Sequence, residues 1–108
     1  MKTKSLNLVR VGLIGLGTIG CGTLNVLARN REEISKRVGK EIRVVSAADL
    51  DLTRERPIDL THVKITDNAA SIINDPEIDV VIELIGGIEP AKTFILQSLR
   101  AGKSVVTA

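Results

Sequence analysis

Aromatic, sulfur-containing and imidazole side chains are scarce in this chain. Phe94 is the only aromatic residue, so aliphatic side chains must supply almost the whole hydrophobic core. Cys21 is the only cysteine, which excludes an internal disulfide and gives no sign of an oxidising compartment. His62 is the only histidine, and no neighbour in the sequence suggests a catalytic pair or a metal site with it. We therefore expect no metal centre, and we interpret His62 as a loop residue and Cys21 as a packing residue.

Long apolar runs and an excess of one charge are also missing. No stretch approaches the roughly 20 apolar residues that a membrane-spanning helix needs. The 15 lysines and arginines nearly balance the 13 aspartates and glutamates, and the small positive excess is scattered along the chain. This balance does not indicate binding to nucleic acid or to a membrane surface. The basic N-terminus lacks the apolar core of a signal peptide, so we expect a cytoplasmic location.

The length is typical of one domain, here residues 1–108, which can bury about 60–70% of its unfolded surface. The chain stops at Ala108 directly after an apolar segment and without a polar tail. We interpret it as a piece of a longer protein and expect the substrate domain to follow Ala108.

Short apolar runs alternate with helical patterns throughout the chain. Helices are predicted from Thr18 to Val38 with Gly39 as C-cap, from Asp67 or Asn68 to Ile73, and from Pro90 to Gly102. Strands are predicted at 8–14, 42–48, 63–66, 80–85 and 104–107, with a polar loop at 51–62. Such alternation predicts an α/β fold, in which a parallel sheet lies between two layers of helices.

A glycine-rich loop joins the first predicted strand to the first predicted helix. In this context the G-x-G-x-x-G pattern indicates a dinucleotide-binding loop. Gly15 permits a tight turn, Gly17 lets the backbone approach a pyrophosphate, and Gly20 lets the helix pack closely against the strand. The helix N-terminus then attracts phosphates. The motif predicts a Rossmann-type domain, incomplete at its C-terminal end; the alternative is a turn that uses glycine for packing only. The candidate cofactor contacts are Gly15, Leu16, Gly17, Thr18, Ile19 and Gly20.

Asp49 ends the second predicted strand, where a carboxylate can accept hydrogen bonds from the adenosine ribose hydroxyls of a dinucleotide. The alternative is an Asx turn with Asp51. A carboxylate here would repel the 2′-phosphate of NADP, although Arg54 and Arg56 could offset that repulsion. We expect NAD or NADP as cofactor, with NAD favoured.

The predicted fourth strand runs into Ile85, Gly86 and Gly87, next to the first strand at the point where the strand order reverses. We expect these three residues to line the nicotinamide end of the cofactor site; the alternative is a simple turn. Glu83 has two interpretations that the sequence leaves open. It is either a functional carboxylate or a strand-end side chain that bonds nearby backbone amides.

Three segments resemble homoserine dehydrogenases. The glycine loop followed by Gly22 is similar to their extended glycine motif, and Asp79 to Gly87, with Pro90-Ala91 after it, resembles their fourth-strand signature. Ala101 to Ala108 resembles the segment that leads into their Thr-Ala-Asn-Lys motif. The resemblance implies an oxidoreductase that interconverts L-homoserine and L-aspartate 4-semialdehyde with NAD(P), in the biosynthesis of threonine, methionine and isoleucine. It also implies a small-molecule substrate and a homo-oligomeric parent enzyme.

Two departures from the family pattern limit what this resemblance implies. Many members have an arginine that favours NADP where this chain has Ala48, and the Asn-Lys of the family motif would begin after Ala108. We therefore expect no catalytic residue within this chain, and we expect the chain alone to be inactive. The alternatives are a cofactor domain of another amino-acid or sugar dehydrogenase, a nucleotide-sensing regulatory module, and a methyltransferase.

Overall fold

The structure is a computed structural model that describes residues 7–53 and 59–107. Strands and helices alternate along most of the chain, as the sequence predicts. The elements are β1 (Leu8–Ile14), α1 (Thr18–Arg29), α2 (Arg31–Val38), β2 (Glu41–Ala48), β3 (Lys64–Thr66), α3 (Ala69–Ile73), β4 (Val80–Glu83), α4 (Ala91–Arg100) and β5 (Ser104–Thr107).

The five strands form one parallel sheet in the order β3-β2-β1-β4-β5, which confirms the predicted Rossmann-type fold. β1 lies at the centre and pairs with β2 on one side and with β4 on the other. Because the strands are parallel, their carboxyl ends meet at one edge of the sheet. The strand order reverses between β1 and β4, and ligands of open α/β sheets bind outside the carboxyl ends at such a point.

Both faces of the sheet are buried, which explains why β1 is an almost unbroken apolar run. Leu13 and Ile14 are adjacent in β1 and belong to different clusters, one on each face. One cluster joins the sheet to α1, and its buried members are Val11, Leu13, Leu16, Leu24, Val44 and Ala47. The other joins the sheet to α3, with Phe94 of α4 packed against it, and its buried members are Ile14, Ala48, Ile72, Ile73, Ile78 and Val81.

The prediction of one helix from Thr18 to Val38 is wrong, because Asn30 divides it into α1 and α2. Asn30 has φ −109° and ψ 18°, outside helical geometry. Its side-chain amide donates to the backbone carbonyl of Val26 at 2.9 Å, and its backbone N–H donates to the same carbonyl at 3.0 Å. Asparagine ends helices by this kind of competition for backbone groups. Gly39 does cap the C-terminus of α2, with a left-handed φ of 77°.

The shorter elements agree with the sequence to within one or two residues at most ends. Of the two candidate caps of α3, the structure selects Asn68, whose side chain accepts a hydrogen bond from the backbone N–H of Ala70 at 3.0 Å. β4 ends at Glu83 rather than at Ile85.

Within residues 7–53 and 59–107, no helix combines the length and apolarity needed to cross a membrane, and no cluster of His, Cys, Asp and Glu is arranged to hold a metal ion.

Candidate functional site

A cleft of about 370 Å³ opens at the carboxyl edge of the sheet. It lies where β1, β2 and β4 end in register, with Ile14 paired to Ala48 on one side and to Glu83 on the other. Four of the predicted site residues are brought together in its lining. The lining residues are Ile14, Gly15, Gly17, Ala48, Asp49, Leu50, Asp67, Ala69, Leu84, Ile85, Pro90 and Phe94.

The three glycines of the loop have three different surroundings. Gly15 has a left-handed φ of 109°, and a Cβ there would lie 3.1–3.2 Å from backbone atoms of Leu84 and Ile85. A Cβ on Gly20 would lie 2.2 Å from the carbonyl oxygen of Gly15. A Cβ on Gly17 would meet no protein atom within 4 Å. The loop is therefore closed by protein at Gly15 and Gly20 and open at Gly17, which lines the cleft.

α1 begins beside this opening and has no side-chain cap. Gly17 is its N-cap residue, and among the described residues no side chain accepts a hydrogen bond there and the first turn contains no acidic residue. A helix N-terminus with free amide groups carries partial positive charge and attracts anions. Cys21 follows in the first turn, is buried, and directs its Sγ at the carbonyl of Leu16 at 3.5 Å. Its interpretation as a packing residue is therefore confirmed.

The carboxylate of Asp49 bonds two backbone amides. One oxygen accepts from the N–H of Leu16 at 2.8 Å, and the other accepts from the N–H of Asp51 at 2.9 Å. The Asx turn that the sequence offered as an alternative is thus present. A carboxylate can accept about four hydrogen bonds, so the turn does not preclude bonds to a ribose. The sequence predicts that Arg54 and Arg56 could offset the repulsion of a 2′-phosphate. Both residues lie outside the described residues.

Glu83 ends β4 and is only 2% exposed. One carboxylate oxygen accepts from the backbone N–H of Ile85 at 2.6 Å and from that of Gly86 at 3.3 Å. The other oxygen accepts from the hydroxyl of Thr107 in β5 at 2.6 Å. Of the two interpretations of Glu83, the bonding to nearby amides is therefore confirmed. Beyond Ile85, Gly86 and Gly87 are exposed and take left-handed φ values of 84° and 73°.

The remaining predicted contacts of the glycine loop differ in exposure. Leu16 is fully buried and its backbone N–H donates to Asp49, whereas Ile19 is 63% exposed. Thr18 starts α1. Sequence reasoning missed Asp67, which lines the cleft directly after β3. The rule that identified Asp49, a polar residue after a parallel strand, would have found Asp67 as well.

A second cleft, of about 410 Å³, lies between α1 and β2 and contains none of the predicted site residues. Asp59 is part of its lining. The hydroxyl and backbone N–H of Thr61 donate to the Asp59 carboxylate and, with the nearby His62, hold its pKa below the usual value. His62 itself is exposed in a turn, as the sequence predicts. These groups are remote from the carboxyl edge of the sheet, so we assign them no role in the first cleft.

Residues 15–108 match the family model of the homoserine dehydrogenase NAD-binding domain. This chain belongs to that family. The homoserine dehydrogenase of Methylobacillus glycogenes is 45% identical over 100 residues, and that of Pseudomonas aeruginosa is 46% identical over 101 residues. Each alignment covers 93% of this chain but only 24% and 23% of the respective relative. The chain therefore spans about a quarter of the length of these homoserine dehydrogenases.

Solved structures of homoserine dehydrogenases have the same fold. The enzyme from Thiobacillus denitrificans matches with a TM-score of 0.86 and 50% identity, over 93% of this chain and 23% of that chain. The enzyme from S. aureus at pH 6.5 matches with a TM-score of 0.87 and 30% identity, over 94% of this chain and 26% of that chain. The resemblance inferred from the three sequence segments is thus confirmed, and the relatives are oxidoreductases.

Proposed function

We propose that this chain binds a nicotinamide dinucleotide across the carboxyl edge of its sheet. The observation that supports this most directly is Gly17. It lines the cleft at the uncapped N-terminus of α1, and the space that a Cβ would occupy there is open. Close approach of backbone and a helix N-terminus are the two features that a pyrophosphate requires. The pyrophosphate would lie over Gly17–Gly20.

The order of the strands supports one direction for the bound cofactor. Asp49 follows β2, the glycine loop follows β1, and Ile85 follows β4, and these strands are neighbours in the sheet. The adenosine ribose would lie at Asp49, and the nicotinamide would lie beside Ile85, Gly86 and Gly87. The cleft wall at the β4 end includes Leu84, Pro90 and Phe94, an apolar surface against which a flat nicotinamide ring can pack.

We further propose that NAD is preferred to NADP. Asp49 and Asp67 both line the cleft, and no lysine, arginine or histidine of the described residues does so. The 2′-phosphate of NADP would therefore meet two carboxylates at close range, with a repulsive Coulomb energy. Ala48, which precedes Asp49, offers no compensating positive charge.

The parent protein is then a homoserine dehydrogenase, in which the bound nicotinamide accepts a hydride from L-homoserine to give L-aspartate 4-semialdehyde. It would act in the cytoplasm as a homo-oligomer, in the biosynthesis of threonine, methionine and isoleucine. The residues of this chain would bind and orient the cofactor. The groups that bind the substrate and take its hydroxyl proton would belong to the remaining length of the parent.

Calorimetric titration of the chain with NADH tests the assignment. Gly17→Val adds side-chain atoms to the open space in the cleft, so it should weaken binding by at least about tenfold, or about 1.4 kcal/mol. Gly22→Val is the matched control, since a Cβ on Gly22 also meets no atom within 4 Å but Gly22 does not line the cleft. Equal affinity of the wild type and Gly17→Val would overturn the proposal. Displacement of NADH by S-adenosylmethionine would favour a methyltransferase instead.

A further inference from the structure

Glu83 is a buried carboxylate at the edge of the sheet where the cofactor is proposed to bind. Glutamate is almost never fully buried unless it is paired, because burial of an unsatisfied charge is costly. Here the two oxygens face different elements. One bonds the amides of Ile85 and Gly86 in the loop after β4, and the other bonds the hydroxyl of Thr107 at the end of β5.

The loop after β4 is thereby fixed to three strands. The backbone N–H of Leu84 donates to the carbonyl of Ile14 in β1 at 2.9 Å. Glu83, in β4, holds the next two amides, and it pairs in register with Thr107 of β5. Because a single side chain bonds both the loop and Thr107, the position of the loop is coupled to that of β5.

We propose that Glu83 is a positioning residue that holds the Ile85 loop in the geometry that accepts the nicotinamide half of the cofactor. This inference rests on the proposed function, since it assumes that the nicotinamide lies beside Ile85. It goes further in assigning a role to a side chain that would not itself touch the cofactor. Glu83 would act through the backbone of Ile85 and Gly86.

The side-chain geometry makes the role specific to glutamate and its isosteres. Glutamine keeps the length of the side chain, and its amide oxygen can still accept from the loop amides. Its amide nitrogen can donate to the oxygen of Thr107, which then changes from donor to acceptor. Aspartate is one methylene shorter and should not reach both partners. Glu83→Gln should therefore retain the NADH affinity that Glu83→Asp and Glu83→Ala lose.

A general loss of structure can be separated from a positioning role by comparing two ligands. The adenosine and pyrophosphate sites are built from β1, α1 and β2, to which the side chain of Glu83 makes no hydrogen bond among the described contacts. Loss of Glu83 should therefore weaken binding of NADH and leave binding of ADP unchanged. A purely structural role would weaken both ligands by the same factor.

The experiment measures NADH affinity by nicotinamide fluorescence and ADP affinity by calorimetry on the same variants of the chain. We expect NADH affinity to fall about tenfold in Glu83→Ala and Glu83→Asp, and ADP affinity to stay within about twofold of the wild type. Glu83→Gln should bind both ligands with nearly the affinity of the wild type. Thr107→Val replaces the hydroxyl with a methyl group at an exposed position, so it should fold even if Glu83→Ala does not. It should weaken NADH binding several-fold. Thr107→Ser should restore the affinity. Thr93→Val is the control, because it removes a hydroxyl that bonds Glu89 on the exposed side of α4.

Unchanged NADH affinity in Glu83→Asp and Thr107→Val would overturn the inference, and so would an equal loss of NADH and ADP affinity in those variants. Wild-type chain that binds ADP and NADH with equal affinity would also overturn it, because the nicotinamide half would then contribute nothing. Wild-type chain that binds neither ligand would instead overturn the proposed function, and the role of Glu83 with it.

Discussion

The carboxylate of Asp49 accepts a hydrogen bond from the backbone N–H of Leu16 at 2.8 Å. Asp49 follows β2 and Leu16 lies in the glycine loop after β1, so this bond connects the loop to the neighbouring strand. The other carboxylate oxygen accepts from the N–H of Asp51 and forms an Asx turn. One side chain therefore shapes the glycine loop and also presents negative charge to the cleft.

This double role of Asp49 predicts the cofactor preference of its variants. We expect the wild type to bind NAD more tightly than NADP by about tenfold or more, since a hydrogen bond to a charged group contributes about 1.5–3 kcal/mol. Asp49→Asn should bring the two affinities closer, because it removes the charge and retains an acceptor for one backbone amide. Asp49→Ala should narrow the difference too, and should also lower the stability. Titration with each nucleotide measures both affinities.

The control for the change in net charge is Glu33→Gln, on the exposed surface of α2, where Glu33 pairs with Arg37 at 3.0 Å. This variant should keep the wild-type preference for NAD. Tighter binding of NADP than of NAD by the wild type would show that Arg54 or Arg56 outweighs Asp49.

A pair of glycine substitutions in α1 should have opposite effects on stability. Gly20→Ala would bring a Cβ within 2.2 Å of the carbonyl oxygen of Gly15, and we expect it to lower the free energy of unfolding by about 1–3 kcal/mol or more. Gly22→Ala meets open space and improves the helix propensity, so it should raise that free energy by up to about 1 kcal/mol. Urea denaturation monitored by circular dichroism measures both changes. Equal effects of the two substitutions would contradict the close contact between Gly20 and Gly15.

Lys103 should matter for stability and not for the cofactor. Its buried ammonium donates to the backbone carbonyls of Asp75 at 2.5 Å and Ile78 at 2.7 Å, in the segment that joins α3 to β4. Lys103→Met should lower the free energy of unfolding by about 1–3 kcal/mol, because buried acceptors lose a charged donor. NADH affinity should not change, since Lys103 precedes β5 at the sheet edge opposite the cleft. Lys92→Met, on the exposed surface of α4, is the control and should be neutral.

The chain alone should bind the cofactor without oxidising homoserine. Hydride transfer requires a substrate carbon held against the nicotinamide and a group that takes the hydroxyl proton. Among the described residues, the acidic groups that line the cleft are Asp49 and Asp67, which follow β2 and β3, away from Ile85. We therefore expect no NADH formation from L-homoserine, measured by absorbance, in a solution where NADH binding is demonstrated.

The matching measurement uses a protein extended to the full length of the homoserine dehydrogenase relatives, which should produce NADH. Comparable rates from the two proteins would mean that the catalytic groups lie within this chain, and our assignment of the active site would be wrong.

The sequence alone was sufficient for features that depend on local backbone chemistry. The alternation of β-branched runs with helical patterns predicted every strand, and Gly39 was recognised as a helix end because glycine adopts a left-handed φ without strain. The glycine loop is also predictable from the sequence, because its residue types and its position between a strand and a helix are both local features. The sequence does not predict the break at Asn30, although that break too is local, because the apolar pattern continues to Val38.

Only the tertiary structure decided which distant groups meet. Glu83 and Thr107 are hydrogen-bonded across 24 positions of sequence, Lys103 and Ile78 across 25, and Asp49 and Leu16 across 33. These contacts depend on strand order and register. β4 lies between β1 and β5, which aligns Glu83 with Thr107, and no periodicity in the sequence encodes that pairing. The sequence therefore determined the strands, the glycine loop and the family, whereas the folded sheet decided which carboxylate holds which loop, because side chains far apart in the chain become neighbours only when the strands pair.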